Sequence, residues 1–150
     1  MNLSLNINML GVSYVVLGYV MRRQKFNHDQ LSRLCKFTDP IIHFPEKEQE
    51  ILKYYEECNL KEPYLLENKG EYLIYNGNHR ILIAINHKLT IYCKIIESYD
   101  DILQAQIDDN IDLSKMGTIT YEKVVDNLIE SAIKWSSQKP RDYDFRDWWT

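Results

Sequence analysis

Four consecutive residues, Gly77-Asn78-His79-Arg80, form the strongest candidate for chemistry in this chain of 150 residues. They stand between a β-prone run and an apolar run, so the glycine falls where a strand turns sharply into a helix. The first N–H groups of a helix have no partners inside the helix and carry partial positive charge. Arginine holds phosphate oxygens with two parallel hydrogen bonds, and histidine exchanges a proton near neutral pH. These residue types in this order predict a phosphate-binding turn, which we call the Gly77–Arg80 turn.

The same residues also fit a purely structural role. Arg80 could pair with an acidic residue and His79 could cap the helix, because helix ends often collect such residues for stability. The four residues taken alone leave both interpretations open.

The segments on both sides of the turn have clear secondary-structure signals. A β-hairpin is predicted from Tyr64 to Tyr75, with its turn at Asn68 to Gly70. The run Ile81 to Ile85 is apolar on every side, which predicts a buried helix. Ile91 to Ile96 then predicts a buried strand. The turn is therefore expected inside a strand, helix, strand unit.

Other elements are predicted from local patterns. Negative charge at Glu46 to Glu50, followed by apolar residues at helical spacing, predicts a helix over Glu46 to Cys58. Five further predictions are one or two β-rich pieces in Met9 to Met21, a loop or short helix over Gln24 to Ser32, a helix capped by Ser98 through about Ile107, a helix from Tyr121 to Trp135, and an aperiodic tail from Pro140 to Thr150.

Length and composition limit the class of protein. One hundred and fifty residues, 45% hydrophobic and 27% charged, predict one globular domain over residues 1–150. A net charge of −4 argues against a protein that coats nucleic acid through bulk charge. The three cysteines include no C-x-x-C, and the longest apolar stretch is too short to span a bilayer, so a cytoplasmic protein without membrane contact is expected. The four histidines lack metal-binding spacing, so no metal site is predicted.

The segment from Tyr72 to Ile96 resembles the core of the ParB/sulfiredoxin superfamily. In that family a strand leads into a glycine-containing turn that ends in His-Arg or Arg-Arg, followed by a helix with alanine in its first turns and then by a strand. Looser matches upstream extend the resemblance to about Asp39 to Glu97, under half of the chain. It implies an α+β fold with a small mixed β-sheet and surrounding helices, with its core at about 39–97. The helices predicted after that core form a C-terminal helical extension over about 98–150.

The resemblance also implies a function, because members of this family bind nucleotide phosphates at that turn. By position, Gly77 is the turn glycine, and Asn78, His79 and Arg80 complete the set of phosphate-binding residues. Asn78 replaces the catalytic cysteine of sulfiredoxin, and no helix-turn-helix domain of the ParB type follows, so neither of those activities is expected. The expected function is that of a phosphotransferase or NTPase that uses ATP, ADP or CTP with Mg²⁺ and an unknown acceptor.

Two side chains are candidates for acid–base work. His79 lies in the turn itself. Glu48 is the second candidate, because an acid in the N-terminal part of the fold is the base in a serine-kinase relative. Glu46, Glu48 and Glu50 also fit a solvated helix start, and His43 fits either a site residue or a satisfied polar residue.

Two other functions fit the sequence. A non-catalytic interaction or inhibitor protein of a mobile element could keep the fold and bind a protein partner through the tail from Pro140 to Thr150, because Trp, Tyr and Arg dominate binding hot spots. The aromatic side chains of the tail could instead fold back over the sheet. A DNA-binding or nuclease relative is the second alternative, against which the net charge argues.

Overall fold

In the part of the chain that the structure describes, a mixed β-sheet of five strands forms the centre of the fold. The computed structural model describes residues 19–40, 48–53, 61–109 and 119–138. Its strands are β1 (Arg23–Phe26), β2 (Cys35–Lys36), β3 (Tyr64–Asn68), β4 (Glu71–Asn76) and β5 (Ile91–Ile96). Its helices are α1 (His28–Leu34), α2 (described over residues 48–53), α3 (Asn78–Asn86), α4 (Tyr99–Asp108) and α5 (Tyr121–Gln138).

The strands lie in the order β1-β5-β3-β4-β2. β3 and β4 form the predicted antiparallel hairpin, and Lys69 and Gly70 make its turn with φ angles of 52° and 83°. β5 lies on the other side of β3 and runs parallel to it, and α3 carries the chain from β4 past β3 to β5. β2 pairs in parallel with β4, and β1 pairs antiparallel with β5. The predicted hairpin, buried helix and buried strand around the Gly77–Arg80 turn are therefore confirmed.

Alternating side chains along the central strands give the sheet two apolar faces. The face covered by α1 and α3 contains Leu31, Leu65, Ile74, Ile81, Ala84 and Cys93. The face covered by α4 and α5 contains Tyr64, Leu66, Leu73, Ile96, Ile102 and Val124. The fold is thus a mixed α+β arrangement with helices on both sides of the sheet, which confirms the predicted fold class in outline.

The sheet begins earlier in the chain than expected. A loop or short helix is predicted over Gln24 to Ser32; the helix is present as α1, but β1 takes up Arg23–Phe26. Phe26 is the one buried residue of β1, so this strand carries no alternating apolar pattern. Pairing with β5 and an ion pair between Arg23 and Glu62 stabilise it instead. Both β1 and β2 precede residue 39, so the sheet includes two strands upstream of the predicted core.

The two C-terminal helices confirm two more predictions. Ser98 caps α4 by accepting a hydrogen bond from the Asp101 N–H at 3.3 Å, and α5 covers the predicted helix and continues to Gln138. Of the helix predicted over Glu46 to Cys58, residues 48–53 are described and are helical. The tail from Pro140 to Thr150 and all but the last three residues of the Met9 to Met21 segment lie outside the described residues. No helix in the described ranges is long and apolar enough to cross a membrane.

The two described cysteines give a test of this core. Cys35 and Cys93 are buried in the face covered by α1 and α3. Burial raises the pKa of the Cys93 thiol, so little of the reactive thiolate forms near neutral pH. In a Cys58→Ser background, we expect neither thiol to react with a disulfide reagent until denaturant is added. Thiol titration of the native protein checks this, and fast reaction of either cysteine would contradict the packing of this face.

Candidate functional site

Gly77 joins the end of β4 to the start of α3. It is the N-cap of α3, with φ of 108° and ψ of 24°, and its carbonyl accepts the Ile81 N–H at 2.9 Å. A Cβ at this position would lie 2.8 Å from the Cβ of Pro63, the residue before β3. Both the left-handed backbone and the close approach of Pro63 therefore require glycine here. The sharp glycine turn expected between strand and helix is present.

Asn78, the first residue of α3, is held by the segment that follows β2. Its Oδ1 accepts the Thr38 N–H at 2.9 Å, and its Nδ2 donates to Thr38 Oγ1 at 3.2 Å. Thr38 Oγ1 in turn donates to the carbonyl of Ile74 in β4. Asn78 is only 8% exposed. The hydrogen bonds of its buried amide group anchor the start of α3 to the sheet through Thr38. What Asn78 offers to a ligand at the turn is its backbone N–H.

Arg80 folds back over the turn. Its Nη2 lies 3.3 Å from the position that a Cβ on Gly77 would take, and its Nη1 donates to the backbone carbonyl of Lys61. His79 is half-buried in the same first turn of α3. The structure therefore brings Gly77, the Asn78 backbone, His79 and Arg80 together within one helical turn, as the sequence pattern implies.

A group of charged and polar residues at the C-terminal end of α4 lies beside the turn. We call it the α4-end cluster, and its members are Lys61, Tyr64, Asn76, Lys94, Gln104, Asp108 and Asp109. The Lys61 ammonium pairs with Asp109 Oδ1 and also donates to the carbonyl of Asp108 at 2.9 Å. Carboxylates at a helix C-terminus oppose the helix dipole, so the cations here offset an unfavourable arrangement.

Every carboxylate oxygen of Asp108 and Asp109 accepts a donor from the protein. Asp108 Oδ1 accepts from Gln104 at 2.9 Å, and its Oδ2 accepts from the Tyr64 hydroxyl at 2.7 Å. Asp109 Oδ2 accepts from Asn76 Nδ2 at 2.8 Å, and its Oδ1 binds the Lys61 ammonium. Burial, reinforced by the bond to Asp108, raises the pKa of Tyr64, so its hydroxyl remains a proton donor at neutral pH.

These carboxylates do not form a ready magnesium site, because their oxygens already bind protein donors. Among the described residues, no group of three or more His, Cys, Asp or Glu side chains could hold a metal ion. Magnesium in nucleotide sites typically takes one or two carboxylates together with substrate phosphates and water. A magnesium ion at these carboxylates would therefore have to displace donors such as Lys61.

Glu48, the second acid–base candidate, lies at the opposite end of α3. Its Oε1 is 2.6 Å from Nε2 of His87, the C-cap residue of that helix, and Glu48 is only 7% exposed. Nine helical residues rise about 13 Å at 1.5 Å per residue, so the structure places Glu48 well away from the turn. Glu50 is exposed, while Glu46 and His43 lie outside the described residues.

Three charged residues beside the turn escaped the sequence analysis. Lys61, Asp108 and Asp109 meet there although 47 or 48 positions separate the lysine from the two acids. No spacing rule connects them, because β3, β4, α3, β5 and α4 intervene. The one available signal was local: two consecutive acids at a predicted helix C-terminus need nearby cations.

Replacement of Gly77 by alanine tests the geometry of the turn, with Gly70 as a matched control. Both glycines have positive φ, but a Cβ on Gly70 would have no atom within 4 Å. We expect Gly70→Ala to lower the free energy of unfolding by about 1 kcal/mol, the cost of the left-handed backbone alone. Gly77→Ala should cost about 2–4 kcal/mol, because the contact with Pro63 adds to it. Urea denaturation measures the free energy of unfolding of both variants. Equal losses would show that Pro63 can shift away from the added Cβ at little cost in free energy.

No protein-family model matches the chain, and no curated protein matches it in sequence. The resemblance to the ParB/sulfiredoxin superfamily therefore depends on the turn and its flanking segments alone. Membership of that family stays a prediction, and the geometry of the site carries the functional argument.

Proposed function

We propose that the Gly77–Arg80 turn binds the phosphates of a nucleotide and that the protein uses this site for phosphoryl transfer or NTP hydrolysis. The observation that carries the proposal is the left-handed Gly77 between β4 and α3, with the Arg80 guanidinium folded back over it. This geometry supports binding of an anion at the first N–H groups of α3, beside the Arg80 guanidinium.

Two kinds of donor meet at this turn, and the residue that carries a third is hydrogen-bonded to Arg80. The N-cap is a glycine, so the residue at the cap has no side chain to accept hydrogen bonds from the first N–H groups of α3. Arg80 adds a planar fork of N–H donors suited to two phosphate oxygens. The backbone carbonyl of Lys61 accepts a hydrogen bond from Arg80, and the Lys61 ammonium, which pairs with Asp109, is a further positive charge that a bound phosphate could attract. Together they give a phosphate both hydrogen bonds and charge neutralisation.

Phosphoryl transfer depends mainly on positioning of the reacting groups and on stabilisation of negative charge, and these donors can supply both. In this proposal His79 holds or moves a proton at its ring nitrogen, since it stands in the same helical turn as Arg80. Magnesium bound to the nucleotide neutralises phosphate charge, and the protein contributes position and cationic donors. The acceptor is water for hydrolysis or a second substrate for transfer.

Nucleotide binding should stabilise the folded protein through Arg80. A nucleotide at 100 times its dissociation constant adds about 2.7 kcal/mol, or about 5–10 °C in melting temperature for a chain of this size. We expect such a shift with one of ATP, ADP, CTP or GTP in the presence of Mg²⁺, and its loss in Arg80→Ala. The control is Arg33→Ala, because Arg33 lies on the exposed side of α1 and pairs with Asp29.

Thermal-shift titration of the three proteins makes this comparison. An unshifted melting temperature with all four nucleotides would overturn the proposal. A shift that persists in Arg80→Ala would place the nucleotide elsewhere.

Turnover should depend on His79 more than binding does. A positioned acid–base group contributes about 10²- to 10⁴-fold to rate, so His79→Gln should lower turnover by at least about 10²-fold. The thermal shift with the bound nucleotide should remain, because the Arg80 guanidinium and the helix N–H groups are unchanged. Phosphate release in a coupled assay measures the rate. An equal rate in wild type and variant would show that His79 takes no part in the reaction.

A further inference from the structure

Lys61 connects the turn to the end of α4. Its backbone carbonyl accepts the hydrogen bond from Arg80 Nη1, whereas its ammonium binds Asp109 Oδ1 and donates to the Asp108 carbonyl at 2.9 Å. Asn76, the residue before Gly77, provides a second connection by donating to Asp109 Oδ2 at 2.8 Å. Asp109 is therefore tied to both sides of the Gly77–Arg80 turn.

The pair between Lys61 and Asp109 is open to competition. The Lys61 side chain is 37% exposed and that of Asp109 is 16% exposed. Ion pairs that reach solvent contribute little net free energy, so another anion can take over one partner at small cost. A phosphate group offers more charge and more acceptor oxygens than one carboxylate, which favours it as the new partner of a lysine.

We infer that Asp109 is an internal competitor of the phosphate ligand. In the free protein the Lys61 ammonium pairs with Asp109. A phosphate bound at the Gly77–Arg80 turn replaces Asp109 as the partner of Lys61. This inference rests on the proposed function, since it requires a phosphate at the turn.

The exchange has a structural consequence for α4. When Lys61 turns to the ligand, the end of α4 loses both the ion pair at Asp109 and the hydrogen bond at the Asp108 carbonyl. Two acids then remain at the helix C-terminus with less cationic compensation, which weakens the last turn of the helix. Phosphate binding is thereby coupled to loosening of α4 around residues 105–109.

The test compares pyrophosphate binding to the full-length wild type, Asp109→Asn and Glu62→Gln by titration calorimetry. Both variants lose one negative charge, but Glu62 pairs with Arg23 instead of Lys61. We expect Asp109→Asn to bind pyrophosphate about two- to fivefold more tightly than the wild type, the range that a partly exposed ion pair supports. Glu62→Gln should bind as the wild type does. Equal gains in the two variants would show a bulk charge effect and overturn the inference, as would unchanged affinity in Asp109→Asn.

Pyrophosphate binding to Arg80→Ala separates this inference from the proposed function. If no protein binds pyrophosphate, both fail; if binding is lost in Arg80→Ala but unaltered in Asp109→Asn, only the inference fails. The reciprocal variant Lys61→Gln should weaken binding, and unchanged affinity there would also overturn the inference.

Hydrogen exchange of the wild type gives a structural readout. The Asp109 amide donates to the Ala105 carbonyl at 3.1 Å, and pyrophosphate should speed exchange of this amide. An unchanged exchange rate on binding would contradict release of α4.

Discussion

The contact between Gly77 and Pro63 controls the arrangement of the whole site. Because position 77 has no Cβ, the start of α3 can approach the residue before β3 more closely than any other residue type allows. That approach brings the backbone of Lys61, two residues before Pro63, within reach of Arg80. It also sets Tyr64, the next residue, under the end of α4, where it binds Asp108. The close approach of Gly77 to Pro63 thus brings the start of α3, the start of β3 and the end of α4 together.

The electrostatics of this region follow from two helix ends that meet with opposite polarity. The N-terminus of α3 carries partial positive charge, and the C-terminus of α4 carries partial negative charge that Asp108 and Asp109 increase. Lys61 and Lys94 lie between them and compensate the acids. Of these two lysines, Lys61 also contacts the Gly77–Arg80 turn, because its backbone carbonyl accepts a hydrogen bond from Arg80. The two lysines therefore balance the charges of the two acids at this helix end.

The parts of the fold that depend on local pattern were predictable, and the parts that depend on distant partners were not. The hairpin, α3 and β5 each have periodicity or turn residues of their own, so the strand, turn and helix around Gly77 could be read directly. β1 could not, because one buried residue makes no pattern and its strand form depends on β5. Glu48 was recognised as part of a helix, but only packing places it beside His87. Likewise, nothing near Asn78 in the sequence indicates that Thr38 fixes its side chain.

That last contact has a consequence for the order in which the protein assembles. The hairpin and α3 are close in sequence, and contacts of that kind form early in folding. The Asn78 amide, by contrast, reaches its partners only when a segment 40 residues upstream has docked beside β4. Until β2 takes its place, the first turn of α3 keeps a polar side chain in water and lacks its anchor to the sheet. We therefore expect the Gly77–Arg80 turn to acquire its final shape late, when the N-terminal strands close the sheet, even though its own residues are contiguous.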